Sequence, residues 1–173
     1  MELKKRVRTY SGTKESAPGE LELRNRKIAR RASAEGIVLL KNEGVLPLEK
    51  GAKAALFGGG AVGTIKGGTG SGDVNARETV SIYQGFADAG IPLTNRDWLE
   101  EYAEIYRQAR EEWKEEILSE AARRGKGKFF EVYSSHIFRM PAGSALKQGD
   151  VEGADVVFYV ISRTAGEDAD RFL

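Results

Sequence analysis

Apolar side chains recur every three or four residues in three stretches of the chain, and each stretch predicts a helix. The first begins at Glu20, the second covers about residues 78–89 with Gly90 placed to end it, and the third follows Asn95, a good N-cap residue. The first helix carries the apolar residues Leu21, Ile28, Ala32 and Leu39. The third carries a stripe that we expect in the core: Trp98, Tyr102, Ile105, Ala109, Trp113, Ile117 and Ala121.

Short apolar runs predict strands at residues 53–57, 91–94 and 156–161, of which the last is apolar throughout and rich in β-branched residues. Residues 37–40 are also apolar, and they either form a short strand or continue the first helix, since so short a run has no diagnostic period. Residues 125–149 show no clear pattern.

The order of these helices and strands predicts an α/β fold with a mainly parallel sheet and flanking helices. A length of 173 residues fits one domain. We therefore interpret residues 1–19, which are charged and rich in Ser, Thr and Gly, as an N-terminal arm, and residues 20–173 as the domain.

Composition excludes several classes of protein. The 27 basic and 26 acidic residues leave a net charge of +1, which gives no electrostatic basis for binding nucleic acid. The absence of cysteine excludes disulfides, Cys-ligated zinc and a thiol nucleophile, and it favours a reducing compartment. The first ten residues lack the apolar stretch of a signal peptide, and no segment resembles a membrane span, so we expect a cytoplasmic protein without a membrane partner.

Glycines cluster after the first predicted strand, with eight in the fifteen positions 58–72. Gly58, Gly60 and Gly63 satisfy the G-x-G-x-x-G pattern of dinucleotide sites, but that mechanism needs a helix to begin at the third glycine, and the glycine-rich sequence after Gly63 opposes one. Three interpretations stay open: a nucleotide site, a structural loop, or a loop whose backbone closely approaches a ligand or another domain.

Three carboxylates follow the last predicted strand: Glu167, Asp168 and Asp170, flanked by Arg163 and Arg171. Functional groups of open α/β sheets collect beyond the carboxyl ends of strands. Mutual repulsion and the arginines would shift the carboxyl pKa values in opposite directions, so the cluster could supply a tuned acid. A solvated polar loop is the alternative.

Three segments together resemble glycoside hydrolase family 3, the β-glucosidase type: residues 34–48 (AEGIVLLKNEGVLPL), residues 66–74 (KGGTGSGDV), and Ser162-Arg163 followed by Gly166-Glu167 and Asp170-Arg171. The resemblance implies a partial α/β sandwich domain. It also implies that Glu167 is the general acid/base, that Ser71 reaches towards the sugar, and that a barrel domain absent from this chain carries the Asp nucleophile. The substrate is then a β-glycoside, and no cofactor or metal is involved.

Two departures from the family pattern qualify this resemblance. Asp168 stands where the family commonly has Gly, which puts the shape of the acid/base loop in question. The chain also ends at Leu173, and a Met shortly before the sandwich domain resembles the domain-swapped order of part of the family. We therefore expect an N-terminal fragment, inactive alone, whose last strand keeps an open edge.

Two rival functions remain at this stage: a non-catalytic carbohydrate-binding or interaction module, and a nucleotide-binding protein. Asp168 and Asp170 are fallback candidates for the acid. The only histidine, His136, has no nucleophile or metal-ligand pattern around it and is interpreted as a surface or packing residue.

Overall fold

The computed structural model of the chain describes residues 15–68, 72, 74 and 76–165. The chain divides into two compact units. The first consists of Met1–Pro47 and Asn75–Glu78, and the second of Leu48–Val74 and Thr79–Leu173.

The first unit contains helix α1, Glu20–Glu35, which begins where the apolar pattern predicted. At its N-terminus the Glu22 carboxylate accepts the Gly19 N–H at 3.0 Å, and Glu20 and Glu22 place negative charge in the first turn, where the helix dipole favours it. The helix ends at Gly36, and none of its residues is buried. The arginines of α1 are exposed.

Arg77 holds residues 76–78 to the start of α1. Its Nε and Nη2 donate to the two carboxylate oxygens of Glu22, each at 3.1 Å, and its Nη1 donates to the carbonyls of Glu15 and Ser16 at 2.9 Å. Both partners of the ion pair are more than 80% buried, and the bidentate geometry is the strong form of this interaction.

Residues 37–40 form neither a strand nor a continuation of α1. All four side chains are exposed, with Leu40 at 92%. The described part of the first unit contains no strand that could pair with these residues. The following turn is organised by Asn42, whose Oδ1 accepts the N–H groups of Gly44 and Leu46.

The second unit is built on a two-stranded parallel sheet, as the element order predicted. Strand β1, Ala54–Phe57, pairs with strand β2, Val156–Tyr159, in the register Ala54↔Val156 to Phe57↔Tyr159. The strand predicted at residues 91–94 is reduced to a single bridge between Leu93 and Ala54. Leu93 continues no further as a strand because Asn95 ends the extended segment and starts a helix.

Four helices and one 3-10 turn surround the sheet in the described part of the second unit. They are α2 (Gly59–Val62), α3 (Ile82–Asp88), α4 (Arg96–Arg124), α5 (Phe129–Ser135) and the 3-10 turn Gln148–Val151. Helix α5 lies in the stretch where the sequence showed no pattern, and the 3-10 turn begins there.

Helix α3 begins later than predicted. Residues 78–80 are not helical because Ser81 is the N-cap, and its Oγ accepts the Gln84 N–H at 3.0 Å. The end is as predicted: Gly90 has φ +68°, and its N–H and that of Ile91 close the last turn on the carbonyls of Ala87 and Phe86.

Asn95 occupies the N-cap position of α4, but its side chain does not cap the helix. Instead, Oδ1 accepts the Leu56 N–H at 3.0 Å and Nδ2 donates to the Leu56 carbonyl at 2.8 Å. Asn95 is 5% exposed, so a buried side chain here satisfies a β1 peptide group that no neighbouring strand reaches.

The stripe along α4 faces inward as expected. Tyr102 and Ile117 are buried, and the other stripe residues are partly buried. Leu99, which the stripe omitted, is buried in a cluster with Leu56 and Ala61. The Trp98 ring stands edge-on to Phe57 with centroids 5.3 Å apart, so α4 covers the end of β1.

Candidate functional site

A cavity of about 330 Å³ lies beyond the carboxyl ends of the two strands. Its lining combines the glycine-rich loop with the start of α3, the middle of α4 and the chain after β2. The described residues that line it are Val62, Gly63, Thr64, Ile65, Lys66, Gly67, Gly68, Gly72, Thr79, Ser81, Tyr106, Arg110, Phe138, Met140 and Thr164. Both the glycine segment and the chain after β2, the two segments that the sequence singled out, therefore reach one cavity.

The fingerprint glycines are explained by packing within the second unit. Gly58 has φ +90°, and a Cβ there would lie 2.3 Å from the Val160 carbonyl oxygen. A Cβ on Gly60 would lie 2.1 Å from Ser162 Oγ, and one on Gly63 would lie 2.6 Å from the Tyr106 ring. The glycines thus let the chain after β1 press against the chain after β2 and against α4.

No helix begins at Gly63, where a dinucleotide fingerprint requires one. Helix α2 is a single turn that ends at Val62, and Gly63 is its C-cap residue. The described residues beyond it are not helical as far as Gly68. Of the three interpretations, the structural loop has direct support from these contacts.

Two contacts fix the loop at the mouth of the cavity. Thr64 Oγ1 donates to the Gly60 carbonyl at 2.7 Å and accepts the Ile82 N–H at 2.9 Å, which ties the loop to the start of α3. A Cβ on Gly67 would lie 2.5 Å from the Gly72 carbonyl oxygen, so the two arms of the loop approach closely. This segment needs glycine for its own shape.

The wall formed by α4 is aromatic and carries a cation. The ring of Phe138 stands edge-on to Tyr106 and to Trp113, each with centroids 5.7 Å apart. The Arg110 guanidinium carbon lies 4.7 Å from the Trp113 ring centroid and 4.8 Å from that of Phe138. Arg110 and Lys66 are the charged residues in the described lining.

The residues to which the sequence assigned the chemistry, Ser71 and Glu167, lie outside the described residues, as do Asp168 and Asp170. Their nearest described neighbours in the sequence are Gly68 and Gly72 for Ser71 and Ala165 for Glu167. Gly68 and Gly72 line the cavity, and so does Thr164, which directly precedes Ala165.

Sequence reasoning missed Tyr106, Arg110, Phe138 and Met140 as residues of the site. Tyr106 and Arg110 are four positions apart on α4, beside the stripe, and this spacing places them on one helix face. This spacing of an aromatic residue and an arginine was the signal in the sequence that could have identified them. Phe138 and Met140 lie in the stretch without a pattern, where nothing in the sequence indicated them.

A second cavity, of about 410 Å³, lies beside Trp98, Tyr102, Tyr159 and residues 140–144. The Trp98 and Tyr102 rings are stacked, and their polar atoms are occupied: Trp98 Nε1 donates to the Ser144 carbonyl and Tyr102 Oη to the Pro141 carbonyl. Burial raises the pKa of Tyr102. The described lining of this second cavity carries no carboxylate or histidine, so the cavity offers no acid/base pair.

His136 is a packing residue, as the sequence suggested. Its Nδ1 lies 2.8 Å from the Val132 carbonyl oxygen, and its own carbonyl accepts the Trp113 indole N–H at 2.7 Å. No group of three or more metal-ligating side chains occurs among the described residues. No helix in that part of the chain is both long and apolar enough to cross a membrane.

A parallel α/β unit with a cavity beyond the carboxyl ends of its strands defines the general class of this protein. The model of the glycosyl hydrolase family 3 C-terminal domain matches residues 37–172, and the chain belongs to this family. The family resemblance inferred from three sequence segments is thereby confirmed.

Named relatives agree with this assignment. The chain is 35% identical over 144 residues to a β-glucosidase of Ruminococcus albus, and 45% identical over 62 residues to β-glucosidase A of Butyrivibrio fibrisolvens. These matches cover 83% and 35% of this chain, but 14% and 8% of the relatives. The chain therefore corresponds to a small part of those proteins.

Solved structures of β-glucosidase 3B from Thermotoga neapolitana share the fold. The match to its complex with glycerol covers 94% of this chain and 20% of the β-glucosidase chain, at 33% identity and with a TM-score of 0.63. The match to its complex with α-D-glucose covers 87% of this chain and 19% of the β-glucosidase chain, at 32% identity and with a TM-score of 0.59.

Proposed function

We propose that this chain is the part of a retaining β-glycosidase that supplies the general acid/base, and that Glu167 is that residue. Family membership supports the proposal, as do relatives named β-glucosidase and a structural relative that binds glucose. The substrate is a β-glycoside, and the partner is a barrel domain that carries the Asp nucleophile.

The observation that carries the proposal is the shared cavity. Gly68 and Gly72, on the two sides of Ser71, line the same cavity as Thr164, three positions before Glu167. Glu167 is three positions beyond Thr164 in the sequence, which is a span of at most about 10 Å of extended chain. A sugar that entered the cavity would meet both loops.

The mechanism divides the work between two carboxyl groups about 5 to 5.5 Å apart. The Asp of the barrel attacks the anomeric carbon while Glu167 donates its proton to the departing oxygen. Glu167 then accepts a proton from the water that hydrolyses the glycosyl-enzyme. For the first step Glu167 must be protonated near neutral pH, and desolvation beneath a docked barrel and sugar would raise its pKa as required.

Ser71 in this proposal donates or accepts a hydrogen bond at a sugar hydroxyl. Gly67 and Gly72, which flank Ser71 in the sequence, approach each other closely. The chemistry uses carboxyl groups alone and calls for no cofactor. Since the nucleophile belongs to the barrel, we expect no turnover of aryl β-glucosides by the isolated 173-residue chain.

A cytoplasmic location is part of the proposal, and the absence of cysteine is compatible with it.

The test uses a chimaera in which this chain replaces the matching segment of the Ruminococcus albus β-glucosidase. If Glu167 is the acid, Glu167→Gln lowers hydrolysis of substrates with poor leaving groups by about 10²- to 10⁴-fold and affects activated aryl glycosides much less. Added azide restores turnover and yields a β-glycosyl azide.

The matched controls are Asp168→Asn and Asp170→Asn, which remove neighbouring carboxylates of the same loop. They should leave the leaving-group dependence unchanged. Equal losses for good and poor leaving groups in Glu167→Gln, without azide rescue, would assign the role to Asp168 or Asp170. Saturable glucose binding by an inactive chimaera would favour the carbohydrate-binding alternative.

A further inference from the structure

One wall of the cavity that the glycine loop and the chain after β2 both reach is apolar. Its side chains are Tyr106 from α4, and Phe138 and Met140 from the chain that follows α5. All three are partly buried. Residues 136–144 have no regular secondary structure, and we call them the strap. The strap thus supplies two of the apolar side chains that line the cavity.

Side chains of α4 hold the backbone of the strap in place. Trp113 Nε1 donates to the His136 carbonyl at 2.7 Å, and Tyr102 Oη donates to the Pro141 carbonyl at 2.9 Å. The two cavity residues of the strap lie between these attachment points in the sequence. Their positions are therefore set before a ligand arrives, which reduces the entropy that binding would cost.

Both cavity residues of the strap are also packed against neighbouring elements. A Cβ on Gly59 would lie 2.4 Å from the sulfur of Met140, so the turn after β1 leaves the space that the thioether occupies. The Phe138 ring stands edge-on to the rings of Tyr106 and Trp113. The wall is therefore a built surface, with the polarizable groups that aromatic ligands contact favourably.

Two hydroxyl groups of the cavity lining already serve the local structure. Thr64 Oγ1 donates to the Gly60 carbonyl and accepts the Ile82 N–H, and Ser81 Oγ accepts the Gln84 N–H as the cap of α3. A second sugar would bring several hydroxyl groups that each need a partner, because a buried polar group without one is costly. An aryl group needs apolar surface instead, which the wall offers.

The chemistry of retention decides which part of the substrate faces this chain. The nucleophile attacks the anomeric carbon from the face opposite the leaving group, and the acid protonates the departing oxygen. The leaving group therefore lies on the side of the acid. In the proposed function this chain supplies the acid, so the leaving group points towards this chain and away from the barrel.

On the basis of that proposed function, we propose that the cavity receives the leaving group of the β-glycoside and favours an aryl group over a second sugar. Phe138 and Met140 are the residues that determine this preference. The aryl group lies against the wall that these two side chains form with Tyr106.

The first experiment measures binding to the whole 173-residue chain by NMR. The sequence has two methionines, Met1 and Met140, so a chain labelled at the methionine methyl carbons gives one reporter in the wall, which Met140→Leu assigns. The ligands are phenyl β-glucoside, methyl β-glucoside and cellobiose, which share the sugar and differ in the leaving group. We expect phenyl β-glucoside to shift the Met140 signal saturably, because the ring current of a bound aryl group acts on a methyl group beside it. The other two ligands should not do so at the same concentrations.

The second experiment tests Phe138 through Phe138→Leu, which keeps an apolar side chain but removes the ring. We expect the dissociation constant of phenyl β-glucoside to rise about 2- to 10-fold. Phe130→Leu is the matched control, since Phe130 is 76% exposed and does not line the cavity, and it should leave the dissociation constant unchanged. Circular dichroism verifies that both variants fold. In the chimaera, Phe138→Leu should raise the KM for phenyl β-glucoside and leave the KM for cellobiose unchanged.

Binding to the chain involves no catalysis, so its outcome is separate from the test of Glu167. No saturable shift of the Met140 signal by phenyl β-glucoside would overturn the leaving-group site, even where Glu167→Gln behaves as expected. An equal shift by methyl β-glucoside or by cellobiose would overturn the preference for an aryl group. Equal effects of Phe138→Leu and Phe130→Leu would remove Phe138 from the wall. A saturable shift beside a chimaera without leaving-group dependence would support the aryl site and overturn the role of Glu167.

Discussion

The two strands of the sheet have the same length and similar apolar sequences, but different surroundings. Every side chain of β1 is at most 1% exposed, whereas in β2 partly buried residues alternate with exposed ones. Strand β1 lies between β2 and Leu93. Strand β2 has a strand neighbour on one side among the described residues. An apolar run therefore indicates a strand, but its neighbours decide whether both faces are buried.

The largest effect that would test this comparison is expected from Leu56→Ala in β1. Leu56 is fully buried in the core cluster, so the truncation should lower the free energy of unfolding by about 2 to 5 kcal/mol. Val157→Ala in β2 removes an exposed side chain and should cost less than about 1 kcal/mol. Urea denaturation measures both, and equal losses would contradict the difference between the strands.

Asn95→Ala tests the side chain that substitutes for a neighbouring strand at Leu56. The variant leaves the buried N–H and carbonyl of Leu56 without partners, and we expect a loss of about 2 to 3 kcal/mol. Asn95→Asp is the matched control, because it can still accept the N–H but cannot donate to the carbonyl. This substitution should also lower the free energy of unfolding. Part of that stability should return at a pH where the introduced carboxyl group is protonated and can donate a hydrogen bond.

The junction where β1 meets the continuation of β2 is tested by Gly58→Ala. Its positive φ and the Val160 carbonyl 2.3 Å from the added Cβ predict a loss of about 1 to 3 kcal/mol. Gly85→Ala is the control: it lies inside α3 with open space around its Cβ, and should stabilise by about 0.5 to 1 kcal/mol. Thermal melts would detect the opposite signs, and a tolerated Gly58→Ala would indicate that the two segments can separate.

The smallest effect is expected on the exposed side of α4, far from either strand in sequence. Hydrogen bonds from Arg107, and then from Gln108, lower the pKa of the Glu104 carboxyl to about 2. Because the folded-state pKa is lowered, this stabilisation is present above pH 4.5 and disappears as the pH falls towards 2. Arg107→Ala should raise the pKa of Glu104, which NMR titration measures. An unchanged pKa would show that the ion pair does not form in solution.

The sequence alone predicted the elements with strong patterns. The stripe of α4 followed from its period, and both strands of the sheet were found from their apolar runs. The predicted start of α3 was a few residues too early. Ser81 caps the helix at its N-terminus, whereas the apolar spacing extended the prediction back to residue 78. For residues 37–40 the sequence did not decide between a short strand and a continuation of α1, and they form neither.

The candidate site was predicted in part. Sequence reasoning selected the two segments that meet at the cavity, since glycines and carboxylates after strands are local signals. It could not find the aromatic and cationic wall, because Phe138 meets Tyr106 and Arg110 only after the chain has folded back across α4.

The sequence by itself determined the class of fold and the family, and it selected the two segments that reach the cavity. These depend on local propensity and on motifs that lie within a few residues. Tertiary structure alone decided that the fingerprint glycines serve packing, that Asn95 binds Leu56 instead of capping its helix, and that β1 is buried while β2 is half exposed. Each of these depends on residues that are distant in the sequence, where neither period nor composition indicates a contact.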